Sequence, residues 1–310
     1  MSADTVEAAV AELRSGRLIG LPTETVYGLA GDAANPEAVA RIYAVKGRPA
    51  INPLIAHVAD KEAAWRYGRA NAMAEALAEA FWPGPLTLVL DYAGAGVSDA
   101  ARAGLKTLAV RVPAHPVARA VLEAFGRAVV APSANPSGRL SPTRAEDVRC
   151  AFGAAVPVVL DAGATEVGLE STIVDCTGER PRLLRPGGIS REALEDIIGP
   201  LAAPAATGPI VAPGALASHY APRARVRLNV ATTEPGEARL GFGAEDAAVA
   251  ENLSPRGDLA EAAHNLFAAL RRLDEAGAET IAVSAIPEHG LGLAINDRLR
   301  RAAADRDDPT

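Results

Sequence analysis

Residues 20–31, GLPTETVYGLAG, constrain this chain more than any other stretch. Leu18-Ile19-Gly20-Leu21 reads as a short buried strand. Pro22 ends regular pairing, because it carries no amide hydrogen. Thr23, Glu24 and Thr25 follow, then Tyr27, with Gly28 and Gly31 beyond. A core strand has no use for three adjacent polar side chains, since each costs about 1–3 kcal/mol when buried unpaired. Two readings remain. The side chains meet a ligand or water at a strand end, where open α/β sheets bind ligands, or they form a polar turn with helix-capping threonines.

Around this motif, short apolar runs alternate with helical patterns. Asp4 with Glu7 reads as a capping box for a helix whose inner face is Val6, Ala9, Val10 and Leu13, ended by Gly16. Asn35-Pro36 starts a second helix, with Val39, Ile42 and Tyr43 inward and Lys46 at its end. Strands are predicted at 54–58, 86–90, 107–112, 128–131, 156–160, 171–175 and 182–185. Helices are predicted at about 60–81, 116–125 and 190–198. The fold class is α/β, with a twisted mixed β-sheet flanked by helices over residues 1–200. Residues 201–224, rich in Pro, Ala and Gly, read as a linker carrying Ser218-His219-Tyr220. A smaller, Rossmann-like α/β domain fills 225–310. It has strands at 226–230, 239–242 and 280–285, and a helix that starts on an Asp258/Glu261 capping box. Residues 305–310 read as a frayed end.

Composition narrows the function classes. The 310 residues are 49% apolar and 22% charged, an ordinary globular balance. A net charge of −7 argues against a chain whose main work is gripping a nucleic-acid backbone. The two cysteines, Cys150 and Cys176, lie beside apolar residues and read as small buried thiols rather than a disulfide framework. His57, His115, His219, His264 and His289 lack metal-ligand spacing. With no leader-like N-terminus and no run of roughly 20 apolar residues, the expectation is a cytoplasmic protein.

The familiar phosphate loops, GxxxxGK[ST] and GxGxxG after a strand, are missing. Cations sit instead in Gly/Pro-flanked loops. Lys46 and Arg48 are two apart and share one side of an extended segment; taken alone they fit a solvated helix end better than a polyphosphate site. Arg111, inside an apolar run, must meet either a ligand carboxylate or a structural Asp or Glu. Arg185 poses the same choice. Ser133, Asn135, Ser137, Ser141 and Thr143 crowd one loop and can hold phosphate oxygens or a base edge, or cap the following helix. Glu170-Ser171-Thr172 is a second polar cluster before an apolar strand.

PTETVYGLA, KGRP with Asn52 and His57, FWPGPLTLVL, LAVRVPAHP, SANPSGRLSPT, LESTIVD and LLRPGGIS occur here in the order of the YrdC-like domain. PGALASHYAP resembles the linker of its two-domain members, and GLGLAINDRLRRAA the end of their extra domain. The chain thus resembles the YrdC-like family of threonylcarbamoyl-AMP synthases over nearly its whole length. The resemblance implies that L-threonine, bicarbonate and ATP are joined into threonylcarbamoyl-AMP, with release of pyrophosphate. The product would pass to downstream tRNA threonylcarbamoyl transferase machinery. It further implies a threonine site at Thr23, Thr25, His57, Arg111 and Ser171. It implies an ATP site at Arg48, Asn52, Thr107, Ser133, Asn135, Ser141, Arg185 and Tyr220. Lys46 and Arg48 would act at the triphosphate, Mg2+ would accompany ATP, and His219-Tyr220 would close as a lid. The alternative implied by the fold is a non-catalytic RNA-binding or ribosome-maturation module.

Overall fold

A computed structural model describes residues 5–202, 220–246, 249 and 251–304 as two sheets with helices packed on them. The first ten strands are β1 (Ile19–Leu21), β2 (Gly28–Asp32), β3 (Ile55–His57), β4 (Gly68–Arg69), β5 (Leu86–Tyr92), β6 (Thr107–Arg111), β7 (Val129–Val130), β8 (Val158–Val159), β9 (Thr172–Asp175) and β10 (Arg182–Arg185). They form one mixed sheet in the order β10-β9-β5-β6-β3-β7-β2-β1-β8, with β4 on β5. The helices of this part are α1 (Val6–Arg14), α2 (Pro36–Lys46), α3 (Lys61–Tyr67), α4 (Ala72–Phe81), α5 (Pro116–Phe125), α6 (Ala145–Phe152) and α7 (Arg191–Ile198). One core packs Val39 and Ile42 of α2, Leu77 of α4 and Val148 of α6 with the sheet. A second packs Leu13 of α1 and Leu122 of α5 with Ile19, Leu21 and Val129.

The second sheet is all parallel, in the order β11 (Arg225–Arg227), β14 (Thr280–Val283), β12 (Ala238–Gly241), β13 (Glu251–Asn252). Helices α8 (Leu259–Glu275) and α9 (Gly292–Ala303) accompany it. Leu266, Phe267 and Leu270 of α8 pack on the second sheet and also on Val26, Leu140 and Leu169 of the first domain. The two domains therefore share a core, and α8 lies against the opening motif. Two contacts make the seam exact. The Gly168 position, at φ +74°, leaves no room for a side chain, because a Cβ there would stand 2.5 Å from the His264 carbonyl oxygen of α8. The His264 ring nitrogen Nδ1 also lies 2.9 Å from the Glu166 carbonyl.

Several expectations need correction. The helix expected over 60–81 is two helices: Gly68 leaves the helical path, Gly68–Arg69 pairs with β5, and Asn71 caps α4 by accepting from Ala74 N at 3.0 Å. The residues after Tyr27, to which the sequence assigned no element, are a strand: Gly28–Asp32 runs antiparallel to β1, with Leu21 opposite Gly28. Helix α1 is capped by Thr5, whose hydroxyl accepts from Ala8 N; Asp4 lies outside the described residues. Asp258 caps α8, but Glu261 turns to the Ser254 hydroxyl instead of closing the box. Cys150 is exposed, because Ala145 and Val148 take the inner face of α6 and a residue two beyond Val148 points the other way; Cys176 is buried. Burial pushes the Cys176 thiol up to about 12. Most of the expected linker, including His219, and residues 305–310 lie outside the described residues. No helix among the described residues is long and apolar enough to cross a membrane.

Candidate active site

β1 and β2 make a hairpin, and Thr23–Tyr27 is its tip. Thr23 is spent on the turn: its hydroxyl donates to the Val26 carbonyl at 2.6 Å and lies 2.8 Å from the Thr25 hydroxyl. Here the polar-turn reading holds. Glu24 and Thr25 instead meet Arg111, which reaches them from the end of β6. Arg111 Nη2 donates to Glu24 Oε1 at 2.6 Å, Nη1 to Thr25 Oγ1 at 2.8 Å, and Nε to the Gly84 carbonyl at 3.2 Å. Both members of the ion pair are buried. Burial opposes the Glu24 charge, but Arg111 wins and holds the carboxyl below its ordinary range. So Arg111 has the structural partner that the sequence left open. A guanidinium has five N–H donors, so hydrogens on Nη1 and Nη2 remain beyond these three bonds.

β3 and β6 are parallel neighbours with His57 opposite Arg111, so both side chains sit on one face at one end of the strands. The His57 ring nitrogen Nδ1 lies 3.1 Å from the Ile55 carbonyl, which places its hydrogen there and leaves Nε2 as an acceptor. Burial, reinforced by the Arg111 charge, pushes His57 down to about 3, so the ring is neutral near pH 7.

A cavity opens over this face. Thr25, Arg48, His57, Arg111, Ser133, Ser171, Arg185 and Tyr220 line it, together with Glu170 and the apolar Val26, Ile55, Ala131 and Pro132. Eight residues singled out in the sequence therefore converge from seven separate sequence motifs. Arg48, after α2, is held by the Asn52 and Pro53 carbonyls at 3.4 and 3.1 Å. Burial lowers Arg48 to about 10, still charged at neutral pH. Arg185, at the end of β10, donates to the Ser171 carbonyl at 2.9 Å and its hydroxyl at 3.2 Å. Gly187 makes that turn possible: a Cβ there would lie 2.4 Å from the Glu170 carbonyl oxygen. Ser171 also exchanges a hydrogen bond with Thr87 at 2.7 Å. Tyr220, at φ 63°, lies buried with its ring 5.6 Å from that of Phe267.

The other expected residues stand behind this wall. The Lys46 ammonium is buried and donates to the Ser133 and Asn135 carbonyls, the former at 2.5 Å. It shapes the Ser133 loop from behind. Burial, then the Arg48 charge, drives its pKa well below the ordinary lysine value. Asn135 donates to the Pro136 and Arg139 carbonyls and faces a neighbouring groove. Ser141 donates to Glu170. Asn52 is fully buried, and neither end of its amide has a partner among the described residues. Thr107 shares the face of Arg111 but starts β6, roughly 13 Å away along the strand. Glu170 is the polar lining residue to which the sequence reading gave no role. An acid between Gly168-Leu169 and an apolar strand was the available signal.

Three guanidinium groups in one buried wall can hold a carboxylate and a polyphosphate together. In an apolar setting that excludes water, such charges act strongly.

Comparison with known proteins shows the family. A family profile described as Telomere recombination, covering the Sua5, YciO and YrdC proteins, matches residues 11–187. A second, described as Threonylcarbamoyl-AMP synthase, C-terminal domain, matches residues 189–304. A threonylcarbamoyl-AMP synthase from Bacillus subtilis is 38% identical, aligned over 97% of this chain and 93% of that protein. One from Pyrococcus abyssi is 41% identical over 97% and 94%. The crystal structure of P. abyssi Sua5 complexed with L-threonine superposes with a TM-score of 0.87 at 39% identity, covering 96% of this chain and 94% of that one.

Proposed function

The chain belongs to the Sua5/YciO/YrdC family in its two-domain form, and on that footing we propose that it makes threonylcarbamoyl-AMP from L-threonine, bicarbonate and ATP. The observation that supports this most is the convergence of Arg48, Arg111 and Arg185 with Thr25, His57, Ser133 and Ser171 on one cavity. In this reading the amino group of threonine and bicarbonate form a carbamate with loss of water. A carbamate oxygen attacks the α-phosphorus of ATP, the bond to the β-phosphate oxygen breaks, and pyrophosphate leaves. The transfer makes the protein a nucleotidyltransferase. Such a reaction asks for positioning and for fixed charge around the phosphates, with no protein nucleophile.

The residues divide the task by their surroundings. Arg111 offers its remaining N–H groups to the threonine carboxylate, beside Thr25. Neutral His57 accepts at Nε2 from the substrate's amino or hydroxyl group. Arg48, Arg185 and Ser133 face the phosphates. Lys46 holds the Ser133 loop in place, and Asn52 holds Arg48. Asn135, Ser141 and Thr107 complete the nucleotide surroundings from the second layer. Tyr220, at the end of the linker, covers the cavity and shields an easily hydrolysed adenylate, with His219 as its neighbour in the sequence. Mg2+ bound with ATP would supply charge neutralisation on the triphosphate. Its fit is to phosphate oxygens and water, since Ser141 and Arg298 already engage both oxygens of Glu170, and no three His, Cys, Asp or Glu side chains converge among the described residues. The product serves the machinery that modifies tRNA in the cytoplasm.

The test is a single incubation of the protein with ATP, magnesium, L-threonine and bicarbonate, following pyrophosphate and the adenylate by mass spectrometry. Product that disappears when threonine or bicarbonate is left out supports the reading. Pyrophosphate release that ignores both, or no product from folded protein, refutes it.

A further inference from the structure

Glu170 is the one carboxylate among the described lining residues of the cavity. A carboxylate on the wall of a site for a polyanion repels its ligand unless its charge is answered. Here both oxygens are engaged by residues that do not line the cavity. Oε1 accepts from the Ser141 hydroxyl, and Oε2 accepts from Arg298 Nε at 2.9 Å. Ser141 belongs to the same domain as the cavity. Arg298 does not: it comes from α9 of the second domain, in the GLGLAINDRLRRAA stretch, and is 0% exposed. Its Nη1 donates to the Pro186 carbonyl at 2.9 Å and to Asp297 at 2.7 Å. Its guanidinium stands 5.2 Å from the centre of the Tyr220 ring.

One side chain therefore touches three parts of the wall: the carboxylate, the residue that follows Arg185, and the tyrosine that enters from the linker. Burying an arginine completely is costly unless its charge is answered, and an apolar residue would join the two domains without that cost. What an apolar residue would not do is neutralise Glu170. Burial opposes the Glu170 charge, and Arg298, followed by Arg185, outweighs it and keeps the carboxyl ionised. With Arg298 removed, Arg185 is the remaining guanidinium whose charge holds Glu170. The carboxylate and a lining arginine would then draw together.

We propose that Arg298 is a positioning residue of the nucleotide pocket, supplied by the second domain, which ties up Glu170 so that the wall presents Arg185 to the triphosphate. This rests on the nucleotide reading above, and it gives the second domain a part in substrate binding.

The experiment compares full-length wild type, Arg298→Met, Arg298→Lys, Glu170→Gln and the double variant Arg298→Met/Glu170→Gln. Calorimetry measures affinity for ATP with magnesium and, separately, for L-threonine; a thermal melt checks folding. Arg298→Met should weaken ATP binding by about tenfold or more while threonine affinity moves little. Adding Glu170→Gln should restore ATP affinity to near that of Glu170→Gln alone, and Arg298→Lys should fall between wild type and Arg298→Met. The double variant, which buries no lone charge, and the lysine variant keep the test open if Arg298→Met fails to fold. Equal loss for both ligands with no rescue by Glu170→Gln, or a lowered melting point with both affinities unchanged, overturns the proposal and leaves Arg298 as a domain contact. Wild type that binds no ATP overturns the nucleotide reading itself, and this assignment with it.

Discussion

Arg111 carries two duties in one side chain, and they can be separated. Its pair with Glu24 is buried on both sides, so Arg111→Ala leaves a lone carboxylate inside the protein. The expected loss of stability is about 3–5 kcal/mol, as for other broken buried pairs. Glu24→Gln added to Arg111→Ala removes the stranded charge and should recover most of that loss. Threonine affinity should stay lost in the double variant, because the substrate carboxylate still lacks its partner. Denaturant melts and calorimetry read the two effects independently; recovered threonine binding would show that Arg111 acts only by steadying Glu24. His57 makes a pH prediction. Its folded pKa of about 3 lies below the ordinary value of 6.5. Above 6.5 both folded and unfolded chains carry the neutral ring, and it contributes nothing to pH dependence. Between 6.5 and about 3 the unfolded chain takes up a proton that the folded one refuses, so stability falls as pH falls. The slope from this group approaches about 1.4 kcal/mol per pH unit. His57→Gln should flatten the stability curve in that window relative to wild type, and identical curves would place the ring in a polar setting that tolerates its charge.

Elements meet in this protein through backbones as much as side chains, and Gly168 is the sharpest case. It approaches the His264 backbone of α8 so closely that even a methyl group overlaps, and its positive φ disfavours any other residue. Gly168→Ala should cost about 1–3 kcal/mol and raise hydrogen exchange along α8 more than along α2; equal protection of α8 in both proteins would refute this. The contact also shows where reading the sequence stops. Helices α2 and α5 were legible because Asn35-Pro36 and the apolar spacing are local signals, as were β5, β6, β9 and β10. The β2 strand was hidden because GLAGD carries little β-branched character and is held by pairing on both sides, with β1 and β7. Helix α9 was hidden because it carries Asp297, Arg298, Arg300 and Arg301, and a buried arginine breaks the apolar stripe from which helices are read. At the site, the pairing of Arg111 with a ligand or with an acid was undecidable from sequence: its partner, Glu24, lies 87 residues away. The polar tip, by contrast, announced that something must meet Thr25, and the strand-end rule placed it.

At the scale of the molecule the question is whether two sheets make one cooperative unit. The core of the second domain has no boundary at the domain seam: Val26, Leu140 and Leu169 pack with Leu266 and Phe267. The ion pair between Arg298 and Glu170 and that between Arg271 and Asp147 cross the same seam. If the first domain unfolded alone, it would expose the α8 surface packed on Val26, Leu140 and Leu169. Unfolding should therefore be a single transition. The tryptophans make this measurable, because the chain has two, Trp65 and Trp82, and both belong to the first domain, 5.5 Å apart. Phe267 is a fully buried residue of α8, far from either in sequence, and Phe267→Ala should cost about 3–5 kcal/mol. In a coupled molecule that cost must appear in the tryptophan signal: the fluorescence midpoint in urea shifts down together with the helical circular-dichroism midpoint. In a molecule of two independent halves the tryptophan midpoint stays where it was, and the circular-dichroism curve splits into two steps. The coupled outcome has a functional corollary. A second domain that cannot let go without unfolding the first can swing neither α8 nor Arg298 away to admit substrate, so Arg298 stays on Glu170 while substrate enters and leaves.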